Sequence, residues 1–286
     1  MAESIRAAAA PLYGGDAAAG LAEQVRTAAS RGAEVLMDGG RVVGVGLYSR
    51  DGEAGRIDFV HVLPGYLSTA AYVSLVEAVV SRLRHRGVTE IVCEGGSLQG
   101  AALGEALAQC GFRVYERAIV GRPTSEHPPA LPAGHSFVPL SGLDREDIVQ
   151  VVYDAFAGGP DAVFDYHFRS VANTRTLCDA LFAGRHGPYM DEFSTGLQTA
   201  DGLAGVVFTT VPAPGRGFVL LVAVSPRWRG HRLGEMMMRE TIARLGAQGY
   251  ARVELAVTVA NLPAWQLYRR LGFQVVRFFA VYHARY

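Results

Sequence analysis

A chain of 286 residues, half of them hydrophobic, is long enough for two domains of ordinary size. Its 27 basic and 27 acidic side chains balance, so charge gives no reason to expect nucleic acid or an anionic membrane as a partner. The three cysteines form no Cys-x-x-Cys pair, and we expect neither a disulfide framework nor a metal site.

The sequence also argues against export and membrane insertion. Residues 1–10 lack the apolar core of a signal peptide, and no run of about 18 uncharged apolar residues occurs. We therefore expect a cytoplasmic protein. Every fixed side-chain cation is an arginine, which indicates the codon bias of a GC-rich bacterial genome. Oligomeric state is not readable from these features, and a homodimer stays open.

The first half of the chain predicts short strands with two helices between them. Strands are predicted at residues 34–37, 42–48, 57–63, 90–93 and 112–120, and helices at 69–86 and 101–110. Four prolines in residues 122–134 then forbid a regular helix and favour an extended spacer. We place the domain boundary in this spacer.

The second half repeats the same order of elements. Strands are predicted at residues 137–140, 189–199, 203–211, 218–224, 252–259 and 273–282, and helices at 145–156, 166–182, 235–245 and 262–271. Residues 218–224 form an apolar run that is typical of a strand buried on both faces. Residues 106–112 and 267–273 end alike, in Gly-Phe after a helix, which indicates an internal duplication.

The segment Val-Ala-Val-Ser-Pro-Arg-Trp-Arg-Gly-His-Arg-Leu-Gly at residues 222–234 joins a strand to a helix. A helix N-terminus presents free N–H groups and the positive end of the helix dipole, so it suits a diphosphate. Gly230 and Gly234 would let the backbone approach such a ligand, and the arginines of the segment add positive charge. The alternative is an ordinary helix cap with surface arginines.

This segment resembles motif A of the GNAT acyltransferase superfamily, Gln/Arg-x-x-Gly-x-Gly/Ala after a strand. Arg229 stands at the Gln/Arg position, while Arg232 replaces the middle glycine, a change that costs little if that position keeps helical angles. The resemblance implies that acetyl-CoA or another acyl-CoA binds here as co-substrate. It implies that its diphosphate lies on Gly230, His231, Arg232, Leu233, Gly234 and Glu235. It further implies that the backbone of Val222, Ala223 and Val224 pairs with the pantetheine arm and that one of their N–H groups polarises the acyl carbonyl.

A second stretch at the family's spacing runs from residue 261 to residue 273. The resemblance places Asn261 next to the cofactor and makes Tyr268 the acid that reprotonates the departing thiolate. A phenol suits this step because its pKa is not far from that of a thiol. The alternative for Tyr268 is an ordinary residue of an amphipathic helix.

The general base is less well defined. Some family members use a glutamate five residues before the asparagine, but that position is Ala256 in this chain. Glu254 lies two residues earlier and faces the same side of the strand, although it would equally make a salt bridge. Glu192, in the predicted strand at 189–199, is the other candidate.

The segment between the first two helices of the family often shapes the acceptor pocket. It corresponds to residues 156–168, here called the acceptor segment, in which Phe156 and Phe164 alternate with Asp161 and Asp165. These side chains would hold a cationic amine by charge and cation–π contact. The alternative is a loop followed by the amphipathic start of a helix.

The first half lacks the chemistry of the second. With Pro64 aligned on Pro226, it has no arginine at the Arg229 position, and Leu107 falls where Tyr268 stands. We expect an α/β fold of two tandem GNAT-like domains, each a mixed, mostly antiparallel sheet flanked by helices. Residues 1–121 would be a degenerate copy, 122–134 a linker and 135–286 the catalytic domain. The expected activity is acetyl transfer to a primary amine of a small molecule through a ternary complex. A non-catalytic acyl-CoA sensor or scaffold is the alternative.

Overall fold

The computed structural model describes residues 32–95, 100–125 and 127–286. The expectation about a signal peptide at residues 1–10 lies outside these ranges. Across the described residues, no helix combines the length and the apolar character needed to cross a membrane. The chain divides into two compact units, one drawn from Met1–Tyr115 and Phe279–Tyr286 and the other from Glu116–Phe278.

The first unit is a mixed sheet with two helices. Its elements are β1 (Gly32–Asp38), β2 (Arg41–Asp51), β3 (Ala54–Val62), α1 (Thr69–His85), β4 (Glu90–Gly95) and α2 (Gly100–Gln109). The sheet order is β1-β2-β3-β4, closed by the end of β11 (Gln274–Arg285). β3 and β4 run parallel, and the other neighbours are antiparallel. The apolar face of α1, with Leu75, Val76 and Val79, is buried against this sheet.

The second unit has the same organisation with extra elements at its start. Its elements are β5 (Arg113–Pro123), β6 (Ser136–Pro139), α3 (Arg145–Phe156), α4 (Val171–Phe182), β7 (Thr195–Thr199), β8 (Gly202–Ala213), β9 (Arg216–Val224), α5 (Leu233–Ala247), β10 (Arg252–Thr258) and α6 (Leu262–Arg270). The sheet order is β5-β10-β9-β8-β7-β6, with only β9 and β10 parallel. The predicted α/β fold with mixed, mostly antiparallel sheets is thus confirmed.

Two hydrophobic cores, built from different sets of side chains, stabilise the second unit. One contains Met237, Met238 and Ile242 of α5, and the other contains Ile148 and Val152 of α3. Fully burying an aliphatic side chain of this size contributes about 1.5–3 kcal/mol, so these helices are held mainly by packing. The helices that carry the site are therefore fixed to the strands that carry it.

Each unit takes its last strand from the other repeat. β5 follows α2 in the chain, yet its residues from Glu116 onward pair with β10. β11 follows α6, yet its end pairs with β4. The units therefore divide at Tyr115 and at Phe278, whereas the sequence suggested boundaries at residues 121 and 135. Arg122 and Pro123, assigned to the linker, lie in β5, because proline is tolerated at a strand end.

Two predicted elements of the second unit are shorter than expected. The predicted helix at 166–182 is a 3-10 turn at Tyr166–Phe168 followed by α4, because Ser170 adopts extended angles and caps the amide of Asn173. The predicted strand at 189–199 reduces to β7 at Thr195–Thr199. Glu192 therefore lies in the turn before β7 and not on a strand.

Candidate functional site

A gap opens between the two parallel strands of the second unit. The last paired residues of the parallel ladder are Val219 on β9 and Leu255 on β10, although β9 continues to Val224 and β10 to Thr258. Beyond that pair, one backbone edge of β9 has no partner strand among the residues that the structure describes. We call this opening the β9–β10 gap.

A β-bulge in β9 coincides with the start of the gap. On the β8 side, Phe208 pairs with Leu221 and Thr209 pairs with Val219, so Leu220 is the extra residue. A bulge bends its strand and ends regular pairing, which accounts for the divergence of β9 from β10. It also means that β9 is not the regular strand buried on both faces that its apolar sequence suggested: its burial alternates along its length.

The turn between β9 and α5, residues 225–232, ends in a row of free amides. The N–H groups of residues 230–234 donate no hydrogen bond to any residue that the structure describes. The side chain of Arg232, the N-cap residue, does not cap the helix either. The dipole of the 15-residue helix α5 adds positive potential at this end. The amide of Glu235 is used within the turn, because it donates to the Arg232 carbonyl over 3.0 Å.

Arg232 lies in a left-handed conformation, with φ of 58° and ψ of 18°. It is the single non-glycine residue with positive φ in the described part of the chain. The condition under which the change would cost little, helical angles at this position, is therefore not met. Glycine, the usual residue at this position of the motif, adopts the left-handed conformation freely, whereas arginine adopts it only with strain. Gly230 also has positive φ, of 84°, which explains its glycine directly.

Gly234 lies in the first turn of α5 with room around it. An added Cβ would meet Leu267 at 3.4 Å and Val224 at 3.5 Å, which are ordinary contacts. The fold therefore does not require a glycine at this position. A ligand that binds against the helix N-terminus would account for glycine at this position, because a side chain there would occupy the ligand's space.

The polar side chains of the turn make contacts of their own. Arg229 donates to the Ala155 carbonyl at the end of α3 over 2.8 Å, and Arg227 donates to the Asp201 carbonyl over 2.6 Å. His231 Nδ1 lies 3.1 Å from the Arg229 carbonyl. The arginine side chains remain largely exposed, so they add positive charge beside the free amides.

Tyr268, on α6, is 92 % buried by the second unit, with a relative exposure of 8 %. Its ring packs edge-on against Phe273, with centroids 5.7 Å apart. Burial, together with the negative charge of Asp161, raises the pKa of Tyr268 above its ordinary value of 10.0. The phenol is therefore protonated throughout the neutral range and is able to donate a proton.

Asp161 of the acceptor segment reaches the open end of β10. Thr258, the last residue of β10, donates its hydroxyl to Asp161 Oδ1 over 2.6 Å. Asn261 Nδ2 donates to Asp161 Oδ2 over 3.4 Å, while Asn261 Oδ1 caps α6 at the Ala264 amide. With the charge effect on Tyr268, these contacts bring Asp161, Thr258, Asn261 and Tyr268 into one cluster. We call it the Asp161 cluster.

The other predicted residues of the acceptor segment have local roles. Phe156 stacks on Phe168 with centroids 4.3 Å apart, and Phe164 is buried with the Arg117 guanidinium 5.8 Å from its ring centroid. Asp165 accepts from the His167 amide over 3.0 Å and lies 2.8 Å from His167 Nδ1. Of the four candidates, Asp161 is the one with long-range polar contacts.

Neither predicted base lies in the Asp161 cluster. Glu254 pairs with Phe218, before the gap opens, and its carboxylate lies 3.4 Å from Arg216 Nη1. Glu254 therefore forms a salt bridge, which was the alternative to a catalytic role for this residue. The carbonyl of Glu192 accepts from Arg244, near the C-terminal end of α5. The involvement of Asp161 with Thr258 was missed, because nothing in the sequence relates residues about 100 positions apart.

The first unit keeps the strand geometry and lacks the open turn. Its bulge falls at Asp58 of β3, and its parallel ladder ends at Ile57 and Cys93. Its turn is two residues shorter, since the cap lies four residues after Pro64 but six after Pro226. The Ser68 side chain caps the Ala71 amide over 3.1 Å, which closes the N-terminus of α1. Leu107 is fully buried in the core of that unit.

Comparison with known proteins agrees with this geometry. Residues 165–273 match the acetyltransferase (GNAT) family, a stretch that contains the gap, the open turn and Tyr268. Residues 165–273 thus form an acetyltransferase (GNAT) domain, and the proteins of this family use acetyl-CoA as co-substrate.

The relatives extend over most of the chain. Mycothiol acetyltransferase of Actinosynnema mirum is 28 % identical over 229 residues, which are 78 % of this chain and 73 % of that protein. A GCN5-related N-acetyltransferase from Sphaerobacter thermophilus superposes with a TM-score of 0.67 at 18 % identity, over 92 % of this chain and 85 % of that one. A tandem GNAT protein from the clavulanic acid biosynthesis pathway superposes with a TM-score of 0.60 at 19 % identity, over 90 % of this chain and 84 % of that one. The two structures show that the fold is shared.

Proposed function

We propose that the second unit transfers an acetyl or other short acyl group from acyl-CoA to a primary amine of a small molecule, directly and within a ternary complex. The observation that carries this proposal is the row of free amides at residues 230–234 beside an open parallel pair of strands. The first amides of a helix have no partner within the helix, and a row of them left uncapped beside positive side chains suits an anionic ligand. The first unit, whose helix is capped, would serve a structural role.

The proposed binding mode assigns a role to each part of the site. The free amides and the surrounding arginines would hold the diphosphate of CoA. The unpaired edge of β9, at Val222, Ala223 and Val224, would pair with the pantetheine arm. The thioester, when bound, supplies an activated acyl carbonyl. An N–H group of the same edge would donate to its oxygen.

Tyr268 would protonate the departing sulfur. It is buried and fully protonated at neutral pH, as the donor in this step must be. Asn261, the N-cap residue of α6, would orient the acceptor side through its hydrogen bond to Asp161. Phe156, Phe164 and Asp165 would support the wall of this pocket, given their stacking and local hydrogen bonds.

Turnover of acetyl-CoA with a panel of amines tests the proposal. The panel should contain glucosamine, an aminoglycoside and a cysteinyl amine, the last because a curated relative carries the name mycothiol acetyltransferase. The expected result is release of free thiol that depends on the amine, with an acetylated product in the mass spectrum. Acetyl-CoA binding without transfer to any of these amines would contradict the proposal and favour a non-catalytic sensor.

A further inference from the structure

The buried carboxylates of the described residues differ in their partners. Three acidic residues are buried: Glu90, Asp161 and Glu254. Glu90 pairs with Arg285 over 3.2 Å, and Glu254 pairs with Arg216 over 3.4 Å. Asp161 has a relative exposure of 9 % and makes no ion pair with any described residue; its partners are a hydroxyl and an amide.

This exception is informative because an unpaired buried carboxylate is unfavourable. Charged groups are normally buried only with a counter-charge, and neutral donors replace just part of the lost hydration. Asp161 also contacts Thr258 at the end of β10, beyond the point where the parallel ladder with β9 stops. A cationic ligand at this place would supply the missing counter-charge.

We propose that Asp161 is the general base of the reaction: it removes the proton from the ammonium group of the acceptor. This inference rests on the transfer to an amine proposed above. It replaces Glu254, whose carboxylate pairs with Arg216, and Glu192, which is exposed in the turn before β7. Thr258 and Asn261 are positioning residues in this scheme, because they hold the two carboxylate oxygens of Asp161.

The protons balance with the groups of the Asp161 cluster. The ammonium N–H bond breaks and its proton passes to Asp161, which later releases it to water. The nitrogen lone pair then forms the bond to the acyl carbon, and the carbon–sulfur bond breaks. Tyr268 gives its proton to the sulfur. The second proton lost by the nitrogen, as the amide forms, returns to Tyr268. One proton is released per amide formed.

Several charged groups surround the turn that holds Asp161. Arg169 directs its guanidinium to the carbonyls of Ala162 and Val163, and Arg117 lies over Phe164. On the far side of Phe164, Asp165 is bound to His167. From α6, Tyr268 is the titratable group that senses the charge of Asp161.

The test compares Asp161→Asn with the wild-type protein, using whichever panel amine is acetylated fastest. Asparagine keeps the size of the side chain and still accepts from Thr258, so the variant should fold. At a pH below the pKa of the acceptor ammonium, we expect kcat to fall about 100- to 10,000-fold. The deficit should shrink above that pKa, because the amine then arrives already deprotonated. The thermal shift given by acetyl-CoA should stay unchanged.

Two further variants sharpen the result. Thr258→Val removes the hydroxyl that holds Asp161, and we expect a smaller loss of kcat with the same recovery at high pH. Asp154→Asn is the matched control, since Asp154 accepts only from Gln150 within α3, and its rates should equal wild type.

The outcomes separate this inference from the function on which it rests. A wild-type protein that acetylates an amine, with an Asp161→Asn variant of equal kcat, would overturn the base and leave the acyl transfer intact. A variant with raised KM, unchanged kcat and no recovery at high pH would show an ammonium anchor and also overturn it. If the wild-type protein acetylates no amine in the panel, both proposals fall.

Discussion

Arg232 carries backbone strain in the β9–α5 turn. Its left-handed conformation costs an L-residue about 1–2 kcal/mol, a cost that glycine avoids. We expect Arg232→Gly to raise the melting temperature by about 1–3 °C, allowing for the greater entropy of glycine in the unfolded chain. Differential scanning calorimetry of the free protein checks this.

A control of opposite sign lies about two turns further along α5. Arg239→Gly places glycine in a helix interior, where it should destabilise by about 1 kcal/mol. If Arg232→Gly lowered the melting temperature as Arg239→Gly does, the strain at Arg232 would be disproved.

The hydroxyl of Tyr268 is the second feature to be tested on a single residue. Tyr268→Phe keeps the ring against Phe273 and removes the proton donor, so kcat should fall about 10- to 1000-fold. Binding of acetyl-CoA, measured by calorimetry, should change little. Tyr250→Phe removes a phenol that belongs to the same unit and packs on Phe193, and it should leave kcat unchanged. Equal rates for wild type and Tyr268→Phe would remove Tyr268 from the mechanism.

The pKa of Tyr268 also predicts a pH dependence of stability. Its folded-state pKa is raised above 10.0, mainly by burial, so the unfolded chain loses this proton first as pH rises. The contribution of Tyr268 to the free energy of unfolding is complete below pH 10. It is lost as pH rises above that value, because the folded state then binds more protons than the unfolded state. The melting temperature should decline less steeply above that pH in Tyr268→Phe than in wild type, and parallel declines would contradict the shift.

The limits of sequence-based prediction are clear at this scale. The glycines of the turn could be named from residue type and spacing, and Tyr268 from the resemblance of residues 261–273 to the family. The conformation of Arg232 could not, since it depends on how the turn joins β9 to α5. Asp161 was named as an acceptor residue on composition, but its isolation from cations is a three-dimensional fact.

At the scale of elements, the site depends on one bulge and one uncapped helix. The bulge at Leu220 interrupts β9 where the parallel ladder with β10 ends. The apolar sequence of residues 218–224 does not predict this bulge. The limits of α3 were predicted to the residue because Asp144 caps a helix of regular apolar spacing. The start of α4 was not predicted correctly, because the 3-10 turn Tyr166–Phe168 before it has a composition that also suits a helix.

The first turn of α5 gives a test of the open helix N-terminus. Gly234→Ala should fold normally, since its Cβ makes only ordinary contacts, but should weaken acetyl-CoA binding at least about 10-fold. Gly65→Ala, in the corresponding turn of the first unit, has open space around its Cβ and is the matched control. Titration calorimetry should show unchanged affinity for Gly65→Ala, and equal affinities for both variants would argue against binding at α5.

For the whole molecule, the exchange of last strands determines which fragments fold. A chain of residues 135–286, the domain expected from the sequence, lacks β5 and leaves β10 without its antiparallel neighbour. A chain of residues 113–278 retains it and contains all of Glu116–Phe278. We expect cooperative thermal unfolding by circular dichroism only for the second fragment. Equal stability of the two fragments would show that β5 is dispensable.

The duplication itself was readable from the sequence, whereas the strand exchange was not. Repeated helix ends and a repeated order of elements are local patterns. Pairing of β5 with β10 connects residues more than 100 positions apart, and both β5 and β11 would suit either sheet by composition. The proline-rich spacer of residues 122–134 begins within β5, whereas the compact units divide at Tyr115 and Phe278.

The most direct test of the account is a calorimetric titration of the intact protein with acetyl-CoA. The free amides at residues 230–234, beside the β9–β10 gap, predict a saturable release or uptake of heat that fits one binding site per chain. The affinity for acetyl-CoA should fall as salt is added, because salt screens the attraction between the diphosphate and the positive end of the helix. They also predict a rise in melting temperature with ligand concentration. A flat titration with no thermal shift at saturating acetyl-CoA would contradict the proposal that the second unit binds the co-substrate.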